Sequence, residues 1–192
     1  MKIGAVLMAA GNAERFGENK LAQTFGGKTL ASRALDALGG YDFDAVAVVT
    51  QYPELEKEAK ERGYIPVKNE HPDRGISHTI SLGLDALPGC DGILFSVADQ
   101  PCLSGRSVKS VVEAWKENPA GIAAAAHDGV RGNPCIFSKD FFPELRALKE
   151  DKGGNTVIRR HEEKLTLTEV PKEELTDCDT PEALEKLKNG LL

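Results

Sequence analysis

Positive charge is in short supply in this chain. Its 24 Lys and Arg stand against 30 Asp and Glu, a formal net charge of -6 over 192 residues. Non-specific nucleic-acid binding needs a basic face, so that class is disfavoured and no nucleic-acid partner is expected. A small anionic ligand remains compatible, because a few local cations and backbone N–H groups make a positive pocket on an acidic protein. Cysteine is sparse as well. Cys90, Cys102, Cys135 and Cys178 are widely spaced, with no C-x-x-C pair. That argues against a zinc site or a disulfide scaffold and reads as free thiols in a reducing cytosol. No apolar run is long enough to cross a membrane. The opening stretch, Met1 to Met8, is too short for a signal segment and reads as a strand. The expected location is therefore cytoplasmic, with no membrane partner. Two glycine signatures are missing too: the glycine-bearing segment 9–20 does not end in the G-K-[ST] of a P-loop, and no G-x-G-x-x-G marks a Rossmann-type dinucleotide site. His78 and His161 do not stand at metal-ligand spacing.

What is present is a regular alternation of apolar runs and helical periods. Ile3 to Met8, Ala45 to Val49 and Gly92 to Val97 are continuous apolar runs, the pattern of strands buried on both faces. Between them lie helical spacings: Leu30, Ala34, Leu35 and Leu38; then Ile76, Ile80, Leu84 and Leu87; then Val108, Val111, Val112 and Trp115. Pro53 and Ser104 are natural helix openers. Tyr64 to Val67 is a short strand, and Ile122 to Ala126 and Cys135 to Phe137 read as strands around the polar turn Asp128-Gly129. Asp140 to Lys149 reads as a helix, and Leu165 to Val170 alternates like an edge strand. The predicted fold is α/β: three layers, Rossmann-like, a mostly parallel sheet with helices on both faces. One domain spanning 1–192 is expected. Ligands of such sheets sit beyond the carboxyl ends of the strands, which selects the loop after Met8, the loop after Val97 and the turn at 177–179.

The first loop runs Ala9-Ala10-Gly11-Asn12-Ala13-Glu14-Arg15-Phe16-Gly17-Glu18-Asn19-Lys20. Gly11 and Gly17 permit close backbone approach, and successive N–H groups can hold phosphate oxygens. Arg15 adds a guanidinium fork and Lys20 a point charge. The bland alternative is a strand-to-helix loop with solvated cations. Asp99 ends the third apolar run and can hold Mg²⁺, a hard cation that favours carboxylate and phosphate oxygens; its alternative role is to cap the turn before Pro101. Asp179 followed by Glu182 reads as a capping box on a final helix, a role that a metal contact would not exclude. Ser77 reads either as a helix cap or as a donor to a base or anion.

Leu7-Met8-Ala9-Ala10-Gly11 through Arg15-Phe16-Gly17 and Lys20 resembles the L-A-A-G-x-S-x-R-[MF]-G-x-x-K signature of the nucleotidyltransferase superfamily. Met8 and the pair Asn12-Ala13 are small departures from it. Asn69-Glu70 with Gly75-Ile76-Ser77-His78-Thr79-Ile80-Ser81-Leu82-Gly83-Leu84 resembles a motif of the MobA-like branch that includes molybdenum cofactor cytidylyltransferases. So do Gly132-Asn133-Pro134-Cys135-Ile136-Phe137 and Asp151-Lys152-Gly153-Gly154 with Arg159-Arg160-His161. The resemblance runs from about residue 3 to residue 187.

It implies that Ala9, Ala10, Gly11, Arg15, Lys20, Asn69, Gly75 and Ser77 bind the nucleotide. It places Arg15, Lys20 and Asp99 in catalysis, and Asp99 and Asp179 on the metal, Mg²⁺ with Mn²⁺ as the alternative, and leaves Asp177 a lesser candidate. It puts the pterin at Lys152, Gly153, Gly154 and Arg159, so that the N-terminal part takes the NTP and the C-terminal part the second substrate. The implied reaction is transfer of CMP from CTP to the terminal phosphate of molybdopterin, with release of pyrophosphate; an apo molybdenum hydroxylase is a possible further partner. Ala10, where guanylyltransferases tend to carry Gly, is the residue that favours CTP. Open alternatives are a GTP-using guanylyltransferase, a CTP:sugar or polyol-phosphate cytidylyltransferase, and a non-catalytic carrier or maturation module for a molybdenum hydroxylase.

Overall fold

The computed structural model describes residues 1–11 and 19–189. In chain order its elements are β1 (Ile3–Ala9), β2 (Thr24–Phe25), β3 (Lys28–Thr29), α1 (Leu30–Leu38), β4 (Ala45–Thr50), α2 (Pro53–Glu61), β5 (Ile65–Lys68) and α3 (Ile76–Ala86). Then follow β6 (Gly92–Val97), α4 (Gly105–Glu117), β7 (Ile122–His127), β8 (Val130–Ser138), α5 (Phe142–Arg146), α6 (Asn155–Ile158), β9 (Leu165–Glu169) and α7 (Pro181–Lys188). Seven strands form one sheet in the order β5-β4-β1-β6-β8-β7-β9, while β2 and β3 make a separate small ribbon. β8 alone runs antiparallel to its neighbours. The remaining pairs of the seven-stranded sheet are parallel.

The reversal at β8 has a local cause. Asp128 and Gly129 both take positive φ, 47° and 76°, the conformation a two-residue hairpin turn requires and one that Asp-Gly supplies readily. Elsewhere the sheet is sandwiched. Ala5, Leu7 and Ala9 of β1 face a cluster with Leu35, Leu38, Leu55, Val108 and Trp115 from α1, α2 and α4. Val6 faces the opposite cluster, with Ile80, Leu84, Leu145 and Val157 from α3, α5 and α6. Burial on both sides is why β1, β4 and β6 read as unbroken apolar runs. Helix α3 lies unusually close to β1: a Cβ on Gly83 would fall 2.6 Å from Val6 Cγ1.

The predicted α/β fold is thus the observed one, and β9 is an edge strand as its alternation suggests. Two local expectations change. The helix expected over 140–149 contracts to a 3₁₀ turn, Lys139–Phe141, followed by the five residues of α5. The chain leaves it through Glu150, which takes φ 55°. The final helix is capped by Thr180, whose side chain accepts from the Ala183 N–H. Asp179 is therefore not the cap: Pro181 takes the first helical position, which shifts the cap one residue later than the capping-box reading and leaves Asp179 outside the helix.

Candidate active site

The carboxyl ends of β1 and β6 open into a cavity of about 680 Å³. Ala9, Ala10 and Gly11 form one wall, Gly75, Ile76 and Thr79 another, and Asp99 and Asp179 the floor beside Lys20. Ala9 to Gly11 are braced from behind by three consecutive residues at the carboxyl end of β4. Thr50 Oγ1 donates to the Ala9 carbonyl at 3.0 Å, Gln51 Nε2 to Ala10 at 2.9 Å, and the Tyr52 hydroxyl to Gly11 at 3.0 Å. With those carbonyls engaged, Ala9 to Gly11 are held before any ligand arrives, which is the preorganisation that anion binding by backbone amides requires. Sequence reading passed over Thr50, Gln51 and Tyr52, whose run carries no motif of its own.

Lys20 sits at the centre of the site. Asn19 caps the short 3₁₀ turn Lys20–Ala22 through Oδ1 and donates to Glu54 Oε1 through Nδ2. Lys20 Nζ then lies 2.8 Å from Asp99 Oδ2 and 2.9 Å from Asp179 Oδ1. Burial works against the Lys20 ammonium, but the Asp99 carboxylate, helped by Asp179, outweighs it and holds the pKa above the ordinary lysine value. The two aspartates are far apart in sequence and are brought together by the backbone. The Cys178 N–H donates to the Asp99 carbonyl at 2.8 Å, and the Cys178 side chain is buried with Leu30, Leu184 and Leu187. That anchor fixes the carboxylates on either side of it.

Asp99 Oδ1 is buried and has no hydrogen-bond partner among the described residues. A buried, unsatisfied carboxylate oxygen is costly unless a cation meets it. Asp99 and Asp179 together offer hard oxygen donors of the kind that suit Mg²⁺ or Mn²⁺, so the residues present fit a divalent ion. Asp177 is turned differently: its Oδ1 accepts from Gln100 Nε2 at 2.9 Å. Burial first, and then the neighbouring Asp99 charge, push its carboxyl above the usual range, with the Gln100 contact opposing them. A separate trio, His127, Asp128 and Glu169, gathers at the β7–β8 hairpin with ligand atoms close enough to share an ion. It is largely exposed, and His127 Nδ1 already faces Glu169 and the Val170 carbonyl.

The remaining expected residues are placed as follows. Arg15 lies outside the described residues. Gly75 is at the cavity wall with φ 79°, and a Cβ there would come within 2.4 Å of the Glu150 backbone. It occupies the cap position of α3, so Ser77 does not cap that helix. Ser77 is buried, and its N–H is spent on the Glu150 carbonyl at 3.1 Å. Asn69 is buried too: Nδ2 donates to Thr79 Oγ1 and Oδ1 accepts from the His71 N–H. Both therefore hold the wall together from behind. Lys152 and Arg159 are exposed, and neither lines this cavity. Gly153 packs against Ile76 and Gly154 against Phe137. Asp151, next to Lys152, does reach the cavity.

The sequence pattern of one family, described as the MobA-like NTP transferase domain, matches residues 5–165. The chain is similar to the purine catabolism protein PucB of Bacillus subtilis (strain 168), 28% identical over 199 residues, covering 97% of this chain and 96% of that protein. Among solved structures, Rv0371c from Mycobacterium tuberculosis H37Rv superposes with a TM-score of 0.83 at 22% identity, over 98% of each chain. The same protein solved in complex with manganese gives 0.80 at 22% identity, over 98% of this chain and 99% of that one. A nucleotidyl transferase from Methanothermobacter thermautotroptrophicus gives 0.83 at 20% identity, over 99% and 97%.

Proposed function

The chain belongs to the MobA-like NTP transferase domain family, a nucleotidyltransferase family, and we propose that it transfers CMP from CTP to the terminal phosphate of molybdopterin. The observation that carries this reading is the Lys20 bridge between Asp99 and Asp179, set beside the Ala9–Gly11 amides with a buried Asp99 oxygen left over. In the proposed reaction a phosphate oxygen of the acceptor bonds to the α-phosphorus of the nucleotide. The bond from that phosphorus to the bridging oxygen breaks, and pyrophosphate leaves with its electron pair. Both reactants are anions, and two unit charges at 4 Å repel by about 4 kcal/mol at an effective ε of ~20.

The site's task is to offset that repulsion and to align the groups. Asp99 and Asp179 would hold the divalent cation, Mg²⁺ or Mn²⁺, which supplies positive charge to the phosphate oxygens when bound; the manganese complex of Rv0371c supports such use. Lys20 is placed to exchange its carboxylate partners for phosphate oxygens. The amides of the braced loop, together with Arg15, orient the triphosphate. The acceptor phosphate is already ionised at neutral pH, so no side chain has to remove a proton from it. Preference for CTP rests on the resemblance carried by Ala10, and a cytoplasmic site of action follows from the same reading.

The test is to incubate the protein with Mg²⁺, molybdopterin and each NTP in turn, and to measure pyrophosphate. Release with CTP is the expected result. Release with GTP alone would replace the base assignment, and binding without release would favour a carrier. Asp99→Asn should lower turnover by about two orders of magnitude or more while the protein stays folded, the scale on which removal of a transition-state electrostatic contact is felt; near-normal turnover would remove Asp99 from the metal role.

A further inference from the structure

A second cavity, of about 720 Å³, opens between the β7–β8 hairpin, α6 and the segment 172–177. Its wall interleaves with that of the first. Asp99 and Asp179 line one cavity, while their near neighbours Gln100 and Asp177 line the other. The two spaces therefore lie on either side of the segments that carry the carboxylate pair.

The lining combines apolar surface from Val130, Ile158 and Leu175 with two cations, Arg131 and Lys172, and two carboxylates, Asp128 and Asp177. Arg131 Nη2 donates to the amide oxygen of Asn155. Neither cation is in an ion pair among the described residues. The other signal is a buried acceptor. Gln100 is 3% exposed; its Nε2 donates to Asp177 Oδ1 and to the Leu175 carbonyl, and its Oε1 has no partner among the described residues. Buried acceptors are nearly always satisfied, so an orphan on a cavity wall points to a missing donor.

We infer that this second cavity receives the acceptor substrate, a phosphate-bearing molecule whose body combines apolar surface with N–H or O–H donors. Arg131 and Lys172 attract its negative charge, and the Gln100 oxygen accepts from its donor edge. The acceptor phosphate then reaches the α-phosphate of the nucleotide across the Asp99–Asp177 wall. A reduced pterin phosphate has this chemistry, and the inference rests on the transferase reading above. It moves the acceptor away from Lys152 and Arg159, which line neither cavity.

The test uses Arg131→Met, Lys172→Met and the double variant, each first checked for an unchanged melting temperature. The KM for the acceptor should rise about tenfold per cation removed, while the KM for CTP stays within about twofold, and Arg131→Lys should recover part of the loss. Amide hydrogen exchange supplies a readout independent of turnover. Whichever phosphate acceptor supports pyrophosphate release (molybdopterin, a sugar phosphate or a polyol phosphate) should protect residues 130–135 and 172–177. CTP with Mg²⁺ should instead protect 9–11 and 75–79. Transfer with an unchanged acceptor KM in the double variant, or acceptor protection confined to 151–160, overturns the cavity assignment and leaves the reaction standing. Transfer to a sugar phosphate but not to molybdopterin, with protection at 130–135, overturns the pterin and keeps the cavity.

Discussion

At the scale of single residues, the site is organised around one lysine held between two carboxylates. Lys20 lies within 2.9 Å of both Asp99 and Asp179. A divalent ion held by the same two carboxylates would therefore compete with it for them. Lys20→Met should tighten Mn²⁺ binding to the nucleotide-free protein by about tenfold, equivalent to 1.4 kcal/mol, while lowering transferase turnover. Calorimetric titration reads the first effect, and equal Mn²⁺ affinity in both proteins would show that the lysine and the metal do not share a seat. Asp177 behaves in the opposite sense. Its carboxyl is pushed up by burial and by Asp99. A carboxyl with a raised folded-state pKa contributes stability below its ordinary value, and that contribution is lost as pH rises through the folded value. Asp177→Asn, which never ionises, should therefore have the higher Tm at pH 7, with the advantage vanishing near pH 4. For a chain of this length each kcal/mol corresponds to about 2–4 °C. Melting curves without metal at the two pH values check it, and a pH-independent difference would mean that ionisation is not the cause.

At the scale of elements, the cavity depends on loops pinned to one another rather than on any single helix. The 69–77 stretch is held by Asn69 on Thr79 and by Ser77 on the Glu150 carbonyl. Gly75 makes that contact possible, since its φ of 79° and the nearby Glu150 backbone leave no place for a Cβ. Gly75→Ala should destabilise the protein by about 1–3 kcal/mol, the range for overpacking against atoms that cannot yield. It should also raise the KM for the nucleotide, because Ile76 and Thr79 move with the loop. Urea unfolding and steady-state kinetics test the two parts separately. The elements themselves were legible in the sequence because periodicity and burial speak directly to each other: β1 is apolar on both faces because helices cover both. The supporting contacts were not. Asn69 and Ser77 are polar residues in a motif, and their type does not reveal whether they face a ligand or a neighbouring loop. Likewise Asp179 and Glu182 fit a capping box, yet the proline at 181 moves the cap to Thr180. Thr50, Gln51 and Tyr52 act through carbonyls of another segment, a long-range relation that has no local signature.

At the scale of the whole molecule, an acidic protein is asked to bind a polyanion. The described lining of the first cavity holds Asp73, Asp99, Asp151 and Asp179 against the single cation Lys20. The segment 9–20 carries Arg15 and Lys20 but also Glu14 and Glu18, so its formal charge is zero. The net field at the site therefore disfavours a bare triphosphate, and the chain's overall charge of -6 reinforces it at long range. This separates the protein from a basic phosphate cradle, for which salt weakens binding. In EDTA, CTP should bind at least tenfold more weakly than with Mg²⁺. Raising the ionic strength from 0.01 to 0.15 M shortens the screening length from about 30 to 8 Å. It should therefore improve metal-free binding, or leave it unchanged, rather than reduce it. With Mg²⁺ saturating, the carboxylates are neutralised and the slope should reverse, since Lys20, Arg15 and the loop amides then dominate. Fluorescence titration of CTP at the two salt concentrations, with and without Mg²⁺, gives four affinities. A loss of metal-free binding with salt as steep as that seen with Mg²⁺ would show that the loop cations, not the carboxylate pair, set the field of the site.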